Sequence, residues 1–158
     1  WAAAVYEYIG AYRTRVRSRN FVSKGEFFEP YDSFRFMFKD TSDDDDVIMA
    51  NLTSLGDAFR RDWKRILAAD AFFMNTDRHM RNFGVIRSSK TGDVLRLAPN
   101  FDNNQAYTAN PGGFSANMLR LFVRSADAED RENLKLLAGT CEGSKYLAAA
   151  CQAYASLC

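Results

Sequence analysis

The amino-acid sequence predicts a single, mainly α-helical domain, residues 1–158, that carries a small β-hairpin. The first reason is composition: 47% of the residues are hydrophobic and 26% are charged, which is typical of a chain that packs a core. The second is a long apolar pattern of helical period over residues 57–73. The third is a pair of short β-type runs, residues 83–86 and 94–97, joined by a turn sequence.

The first forty residues predict one helix and one extended segment. The chain opens on apolar residues at helical spacing, which favour an amphipathic helix that ends near Gly10 or Tyr12. Residues 13–42 are irregular and aromatic-rich, and every second residue over 34–38 is Phe, a pattern that favours a short strand or extended segment. The apolar residues of the opening helix are Trp1, Val5, Tyr8, Ile9 and Tyr12.

The acidic run TSDDDD, residues 41–46, stands directly before an apolar pattern that begins at Val47. Acidic side chains are favourable at a helix N-terminus, where they bond free backbone N–H groups and meet the positive end of the macrodipole. The run therefore predicts a helix cap. Metal binding is the weaker alternative, because consecutive carboxylates on a helix point around its axis and do not converge.

Asp70 interrupts the apolar stripe of the long helix predicted for residues 57–73. An unpaired carboxylate there would be costly, so we expect Asp70 to be buried and hydrogen-bonded to the backbone of the loop that follows. Beyond the hairpin, residues 98–117 are rich in Asn, Gly and Pro and predict a long loop. Two helices are predicted to close the chain, one near residues 128–137 and one from Ser144.

Charge, apolar runs and cysteines predict a soluble protein of the cytoplasm. The net charge of +1 gives no bulk field toward nucleic acid or an anionic membrane, and no run approaches the roughly 20 apolar residues of a membrane span. The three cysteines, Cys141, Cys151 and Cys158, are too few for a disulfide framework. The single histidine, His79, excludes metal sites that need two imidazoles.

The sequence offers one set of candidate catalytic residues: Asp77, Asn82 and Asp102. Asp77 and Asn82 stand five positions apart in the loop before the hairpin, and Asp102 follows the second hairpin strand. Phosphoryl transfer from ATP needs a carboxylate that orients the attacking hydroxyl and accepts its proton, together with two oxygen ligands for magnesium. The order and spacing equal those of the protein-kinase catalytic loop and its metal-binding Asp.

The motif NTDRHMRNFGVI, followed by LAPNFD, resembles the catalytic and metal-binding motifs of the HipA-like serine/threonine kinases. Its Asp-Arg-His-x-x-Asn order also resembles, more distantly, the phosphatidylinositol kinases. With the segment NFVSKGEFFEP and the helix that bears Asp70, the resemblance covers residues 15–108. It implies that the chain is the C-terminal catalytic lobe of a protein-kinase-like fold.

Carried over residue by residue, the resemblance implies that Asp77 is the catalytic base and that Asn82 and Asp102 are magnesium ligands. His79 would be a supporting or nucleotide-proximal residue. ATP and magnesium would be the cofactors, and a protein Ser/Thr hydroxyl the substrate. Some members of the family are toxins of toxin–antitoxin pairs, so an antitoxin is a further expected partner.

Departures from the protein-kinase pattern shape a second expectation. Phe101 stands where the family often has Tyr, and Asn103 follows Asp102 where ordinary protein kinases have Phe. The sequence contains no Gly-rich phosphate loop and no Val-Ala-Ile-Lys-like strand. We therefore expect the ATP-clamping lobe upstream of Trp1 and little phosphoryl transfer from these 158 residues alone.

Several alternatives stay open. A Ser–His–Asp hydrolase would use His79, although GGFSAN is not the Gly-x-Ser-x-Gly elbow, and His79 could equally be a hydrogen-bonded structural imidazole. Asp77 could be a turn residue bonded to backbone amides, with Asn82 as a strand cap. A pseudokinase, or a phosphate- or nucleic-acid-binding module without turnover, is the remaining class. The module would use an arginine array on one face of an extended strand: Arg13, Arg15, Arg17 and Arg19.

Overall fold

The computed structural model describes residues 4–8, 14–18, 20–73, 75–103 and 115–140. About half of these residues are helical, and others form small antiparallel sheets. The described fold is therefore mixed, with more helix than strand. The chain forms two compact units. The first comprises Trp1–Arg60 and His79–Asp102, and the second comprises Arg61–Arg78 and Asn103–Cys158.

The first unit contains a pair of antiparallel strands near its start, so the predicted opening helix is wrong over residues 4–8, the part of it that the structure describes. Strand β1 (Ala4–Tyr8) pairs antiparallel with strand β2 (Thr14–Ser18). The sequence AVYEY is rich in β-branched and aromatic residues, which favour strands, and TRVRS offers a partner strand. Apolar residues three and four apart fitted a helix equally well in so short a run, and the pairing partner decided the outcome.

A three-stranded antiparallel sheet forms the centre of the first unit. Its strand order is β3 (Glu26–Pro30), β4 (Gly84–Ser88) and β5 (Val94–Leu97). Strands β4 and β5 are the predicted hairpin, which is confirmed, with a register shift between Ile86 and Arg87. Strand β3 was not predicted, because its partner lies more than fifty residues further along the chain.

The aromatic segment after β3 is helical, so the strand predicted near residues 34–39 is wrong. Helix α1 (Tyr31–Phe34) runs into a 3-10 turn (Arg35–Met37). Tyr31 and Phe34, three positions apart, are both fully buried, whereas Phe36 is 71% exposed. The burial of residues at helical spacing outweighs the alternation of aromatic residues along the segment.

Helix α2 (Asp45–Ser54) confirms the predicted cap. The Asp44 carboxylate accepts a hydrogen bond of 2.9 Å from the Asp46 backbone N–H, and Asp45 and Asp46 occupy the first helical turn. Burial raises the pKa of the Asp45 carboxyl, and repulsion from the carboxylates of Asp44 and Asp46 raises it further. The apolar side of α2 buries Ile48 and Leu52.

Helix α3 (Asp57–Phe73) confirms the long helix that the sequence predicts from its apolar period between Phe59 and Phe73. Helix α5 (Ala128–Thr140) likewise confirms the prediction for residues 128–137. Helix α4 (Ser115–Ser125) was not predicted, and it overlaps the end of the expected long loop. The middle of that loop, the helix expected from Ser144 and the three cysteines lie outside the described residues.

In the described part of the second unit, an apolar cluster and a charged cluster hold the helices together. In the charged cluster, the Lys64 ammonium of α3 meets Asp127, Asp130 and Glu129 at the start of α5. Burial alone would lower the pKa of Lys64, but its hydrogen bonds to Asp127 and Asp130 outweigh that effect and raise the pKa above its usual value. The apolar cluster comprises Ala68, Ala69, Ala71, Phe72, Leu119, Leu134 and Leu137.

Candidate functional site

Asp70 is the buried anchor of the loop that carries Asp77. Its residue surface is only 5% exposed, as the sequence predicts for a carboxylate on the apolar stripe of α3. The guanidinium of Arg78 donates two hydrogen bonds to it, Nε to Oδ2 and Nη2 to Oδ1, each of 2.7 Å. The Asn75 side-chain amide donates a third, of 2.9 Å, to Oδ1. The predicted burial is confirmed, but these partners are loop side chains and not the loop backbone that we expected.

The two side chains that bond Asp70 flank Asp77 in the sequence. The Asn75 backbone N–H donates to the Asp70 carbonyl oxygen at 2.9 Å, five positions back along the chain, which ties the start of the loop to the last turn of α3. The Asp77 backbone N–H approaches the Asn75 side-chain oxygen at 3.5 Å. Because Asn75 and Arg78 are both held by one carboxylate, the backbone of residues 75–78 is fixed at both ends. The Asp77 side chain is half-buried at the middle of this fixed loop.

Asn103 joins the same network from the other sequence segment of the second unit. Its side-chain oxygen accepts a hydrogen bond of 2.8 Å from Arg78 Nη2 and a longer one of 3.4 Å from the Asn75 amide. The Arg78 guanidinium therefore bonds a carboxylate and a carboxamide at once. Such a planar fork of donors suits arginine, and lysine could not reproduce it.

His79 and Asn82 belong to the first unit, where they form a tight turn. The Asn82 backbone N–H donates to the His79 carbonyl oxygen at 2.8 Å, and the exposed His79 imidazole accepts at Nδ1 from the Arg81 backbone N–H at 3.2 Å. These bonds agree with the structural alternative for His79. They leave its expected nucleotide-proximal role a prediction. Asn82 is only 5% exposed and lies directly before the buried Phe83.

Phe83 and Gly84 hold the end of this turn against the sheet. The Phe83 ring stacks on Tyr31 with a centroid distance of 4.9 Å, and the Phe83 carbonyl oxygen accepts from the Tyr31 backbone N–H. A Cβ atom on Gly84 would lie 2.1 Å from the Glu29 carbonyl oxygen, so only glycine lets β3 approach β4 there. The Phe-Gly pair of the motif thus has a packing function that fixes the backbone next to Asn82.

Asp102 is exposed and adopts a left-handed backbone conformation with φ of 54°. Among non-glycine residues this region is uncommon, and aspartate tolerates it better than most. Directly before it, Phe101 packs against two other rings, with centroid distances of 5.2 Å to Phe21 and 5.3 Å to Phe28. Backbone strain of this kind gathers at functional sites, where packing around the strained residue maintains it.

Topology brings Asn82 and Asp102 to the same end of the β4–β5 hairpin. Asn82 precedes β4 and Asp102 follows β5, and in an antiparallel pair these two ends are adjacent. The pairing continues past β5, since the Ala98 backbone N–H donates to the Gly84 carbonyl oxygen at 2.8 Å. Asp77 belongs to the second unit. Convergence of its carboxylate with Asn82 and Asp102 stays a prediction.

The donor set of Asn82 and Asp102 fits magnesium. Both supply oxygen, the ligand that magnesium prefers, and magnesium is commonly held by one or two carboxylates with substrate phosphates and water completing the shell. Within the part of the chain that the structure describes, no three His, Cys, Asp or Glu side chains gather as a cage that could hold a metal ion. One carboxylate and one carboxamide would supply two of the oxygen ligands of a magnesium ion.

Three residues of this arrangement were not singled out from the sequence as parts of it. Asn75 and Arg78 lie within the motif and Asn103 follows Asp102, but the sequence assigned none of the three a role. The available signal was the buried carboxylate itself, since Asp70 requires hydrogen-bond donors and the following loop is the nearest source. The sequence did not show which side chains would donate hydrogen bonds to Asp70.

The arginine array is extended over the part that the structure describes. Arg15 and Arg17 lie on β2, where they pair in register with Glu7 and Val5. Within the described residues, no helix has the length and apolar character needed to cross a membrane. Comparison with known proteins returned nothing: no family model, no curated protein and no solved structure matches the chain.

Proposed function

We propose that this chain carries the catalytic segment of an ATP- and magnesium-dependent phosphotransferase, a HipA-like protein serine/threonine kinase. The observation that carries the proposal is the fixation of the Asp77 loop by the buried Asp70 carboxylate. A kinase makes few covalent contacts with the transferred phosphoryl group, so its rate depends on positioning and electrostatics. A base on a loop held at both ends meets that requirement.

In the proposed reaction, Asp77 orients the substrate hydroxyl and accepts its proton. The hydroxyl oxygen forms a bond to the γ-phosphorus of ATP as the bond between that phosphorus and the β–γ bridging oxygen breaks, and ADP leaves. Magnesium, when bound with the nucleotide, would neutralise charge on the phosphates, and Asn82 and Asp102 would hold it. The left-handed φ at Asp102 supports this role, since strained backbone of this kind is found at functional sites.

The proposal is tested with the complete gene product, by calorimetric titration of ATP with magnesium and by transfer of labelled γ-phosphate to protein. We expect nucleotide binding and transfer. Asp77→Asn should reduce transfer by at least about a hundredfold while ATP binding persists, because the base acts only in the chemical step. Asp102→Asn should weaken magnesium-dependent ATP binding itself.

The matched control is Asp93→Asn, which makes the same change of carboxylate to amide in the exposed turn between β4 and β5. It should leave binding and transfer unchanged. A complete protein that binds no ATP with magnesium present would overturn the kinase proposal. A protein that binds ATP but transfers phosphate no faster than its Asp77→Asn variant would be a pseudokinase. A toxin role would add growth arrest that depends on Asp77.

A binding module without turnover is the second candidate, and the extended backbone of β2 favours it. Arg15 and Arg17 are two positions apart on β2, and residues at that spacing belong to the same face of a strand. Under this alternative, the double substitution Arg15→Gln and Arg17→Gln would reduce binding of a phosphorylated peptide or oligonucleotide and flatten its salt dependence. Under the kinase proposal, it would leave phosphoryl transfer intact.

A further inference from the structure

The Arg78 guanidinium hydrogen-bonds side chains from both sequence segments of the second unit. Arg78 is held by Asp70 through two bonds of 2.7 Å, and both side chains are at least nine-tenths buried. The remaining direction of its Nη2 group is taken by the Asn103 side-chain oxygen at 2.8 Å. Arg78 directly follows Asp77 in the chain, and Asn103 directly follows Asp102.

The strength of this link follows from burial and charge. A hydrogen bond from a charged donor is about twice as strong as a neutral one, and a buried guanidinium that loses an acceptor bears the cost of its desolvation. Asn103 is therefore held firmly, with the Asn75 amide as a second donor at 3.4 Å. The peptide that follows Asp102 thus has a fixed end, and a fixed end helps to maintain the left-handed φ of 54° at Asp102.

We infer that Asn103 is a positioning residue: through its bond to Arg78 it sets the direction of the Asp102 carboxylate for magnesium. The inference rests on the proposed function. The buried Asp70–Arg78 pair would then have two functions: it holds the Asp77 loop, and it holds Asn103 next to Asp102. It also gives a physical reason for an asparagine after the metal-binding Asp: Arg78 needs an acceptor oxygen there, which a phenylalanine at that position would not supply.

The test compares three variants of the complete gene product with the wild type. Asn103→Ala removes the acceptor, Asn103→Asp keeps an acceptor oxygen in the same shape, and Arg78→Lys keeps the charge but loses the planar fork. Three quantities are measured: the magnesium concentration that half-saturates ATP binding, the exchange of backbone amide hydrogens over residues 98–103 without any ligand, and the melting temperature.

Asn103→Ala should raise the half-saturating magnesium concentration by about 10- to 100-fold, the range found when groups behind metal ligands are removed. Amide exchange over residues 98–103 should accelerate, and the melting temperature should fall because the buried guanidinium loses an acceptor. Asn103→Asp should restore both values to near wild type. The matched control is Asn51→Ala, which removes a carboxamide that bridges Tyr31 and the Asp40 carbonyl oxygen. This control should lower the melting temperature and leave the magnesium dependence unchanged.

Several outcomes overturn the inference without touching the proposed function. One is a folded Asn103→Ala variant with wild-type magnesium dependence, while Asp102→Asn still abolishes it. If Asn103→Ala does not fold, Arg78→Lys decides by the same measure. Unfolding of both would make the network purely structural and would also overturn the inference. A wild-type protein that binds no ATP with magnesium would instead refute the proposed function, and with it the inference.

Discussion

Replacing Asp70 by alanine should destabilise the second unit strongly, because the change strands a buried positive charge. The Arg78 side chain is 8% exposed and would lose both of its carboxylate bonds, while its bond to the Asn103 side-chain oxygen would persist. Removal of one member of a buried ion pair costs about 3–5 kcal/mol, and the surviving bond to Asn103 favours the lower end, about 3 kcal/mol. The sequence alone, without knowledge of the guanidinium partner, supports only about 1–3 kcal/mol from unpaired neutral donors.

The assay is urea unfolding of the chain followed by circular dichroism. For a slope of about 1–3 kcal/mol per molar urea, a loss of 3 kcal/mol lowers the unfolding midpoint by about 1 M or more. Asp62→Ala is the matched control on the same helix, since its ion pair with Arg65 leaves side chains 43% and 56% exposed and should contribute under about 0.5 kcal/mol. The double variant Asp70→Leu with Arg78→Met should recover most of the loss. A midpoint for Asp70→Ala equal to that of Asp62→Ala would refute the reasoning.

Two further predictions concern the first unit. Gly84→Ala should lower the free energy of unfolding by about 1–3 kcal/mol or more, because its Cβ would lie 2.1 Å from the Glu29 carbonyl oxygen. The control is Gly139→Ala in α5 of the second unit, which has open space around it and should stabilise by about 0.5–1 kcal/mol. Equal melting temperatures for the two variants would contradict the close approach of β3 to Gly84. The Arg96 hydrogen bonds, with the Ser23 N–H, lower the pKa of Glu26 from 4.5 to about 2. A lowered pKa stabilises the fold above pH 4.5 and loses this effect as the pH falls toward 2, so wild type and Glu26→Gln should differ in melting temperature above pH 5 and converge near pH 2. A difference that stays constant over this range would show that the ion pair does not form in solution.

The sequence predicted those elements that local patterns determine. Helix α3 has a long apolar stripe, α2 has an acidic cap, and the β4–β5 hairpin has its turn within a few residues of both strands. In each case the residues that specify the element lie inside it or next to it. The burial of Asp70 followed in the same way, from its phase on α3.

The elements that the sequence did not predict depend on distant partners. Strand β3 is completed by β4, and α4 buries Leu119 in a cluster with residues of α3 and α5. The strand β1 was interpreted as a helix because five residues hold too little periodicity to distinguish the two without the partner β2. The same limit applies to the site: spacing singled out Asp77, Asn82 and Asp102, while the residues that fix them, such as Arg78 and Asn103, are identified only by their contacts.

The separation in sequence between β3 and its partner has a consequence for the order of folding. Residues 84–97 can form their hairpin early, within roughly 1–10 μs, because few residues separate the two strands. Residues 26–30 must close a much longer loop before they pair with residues 84–88, and that entropic cost delays the third strand. The backbone beside Asn82 gains the stacking of Phe83 on Tyr31 only when this third strand arrives. We therefore expect the backbone beside Asn82 to reach its final geometry after the hairpin has formed.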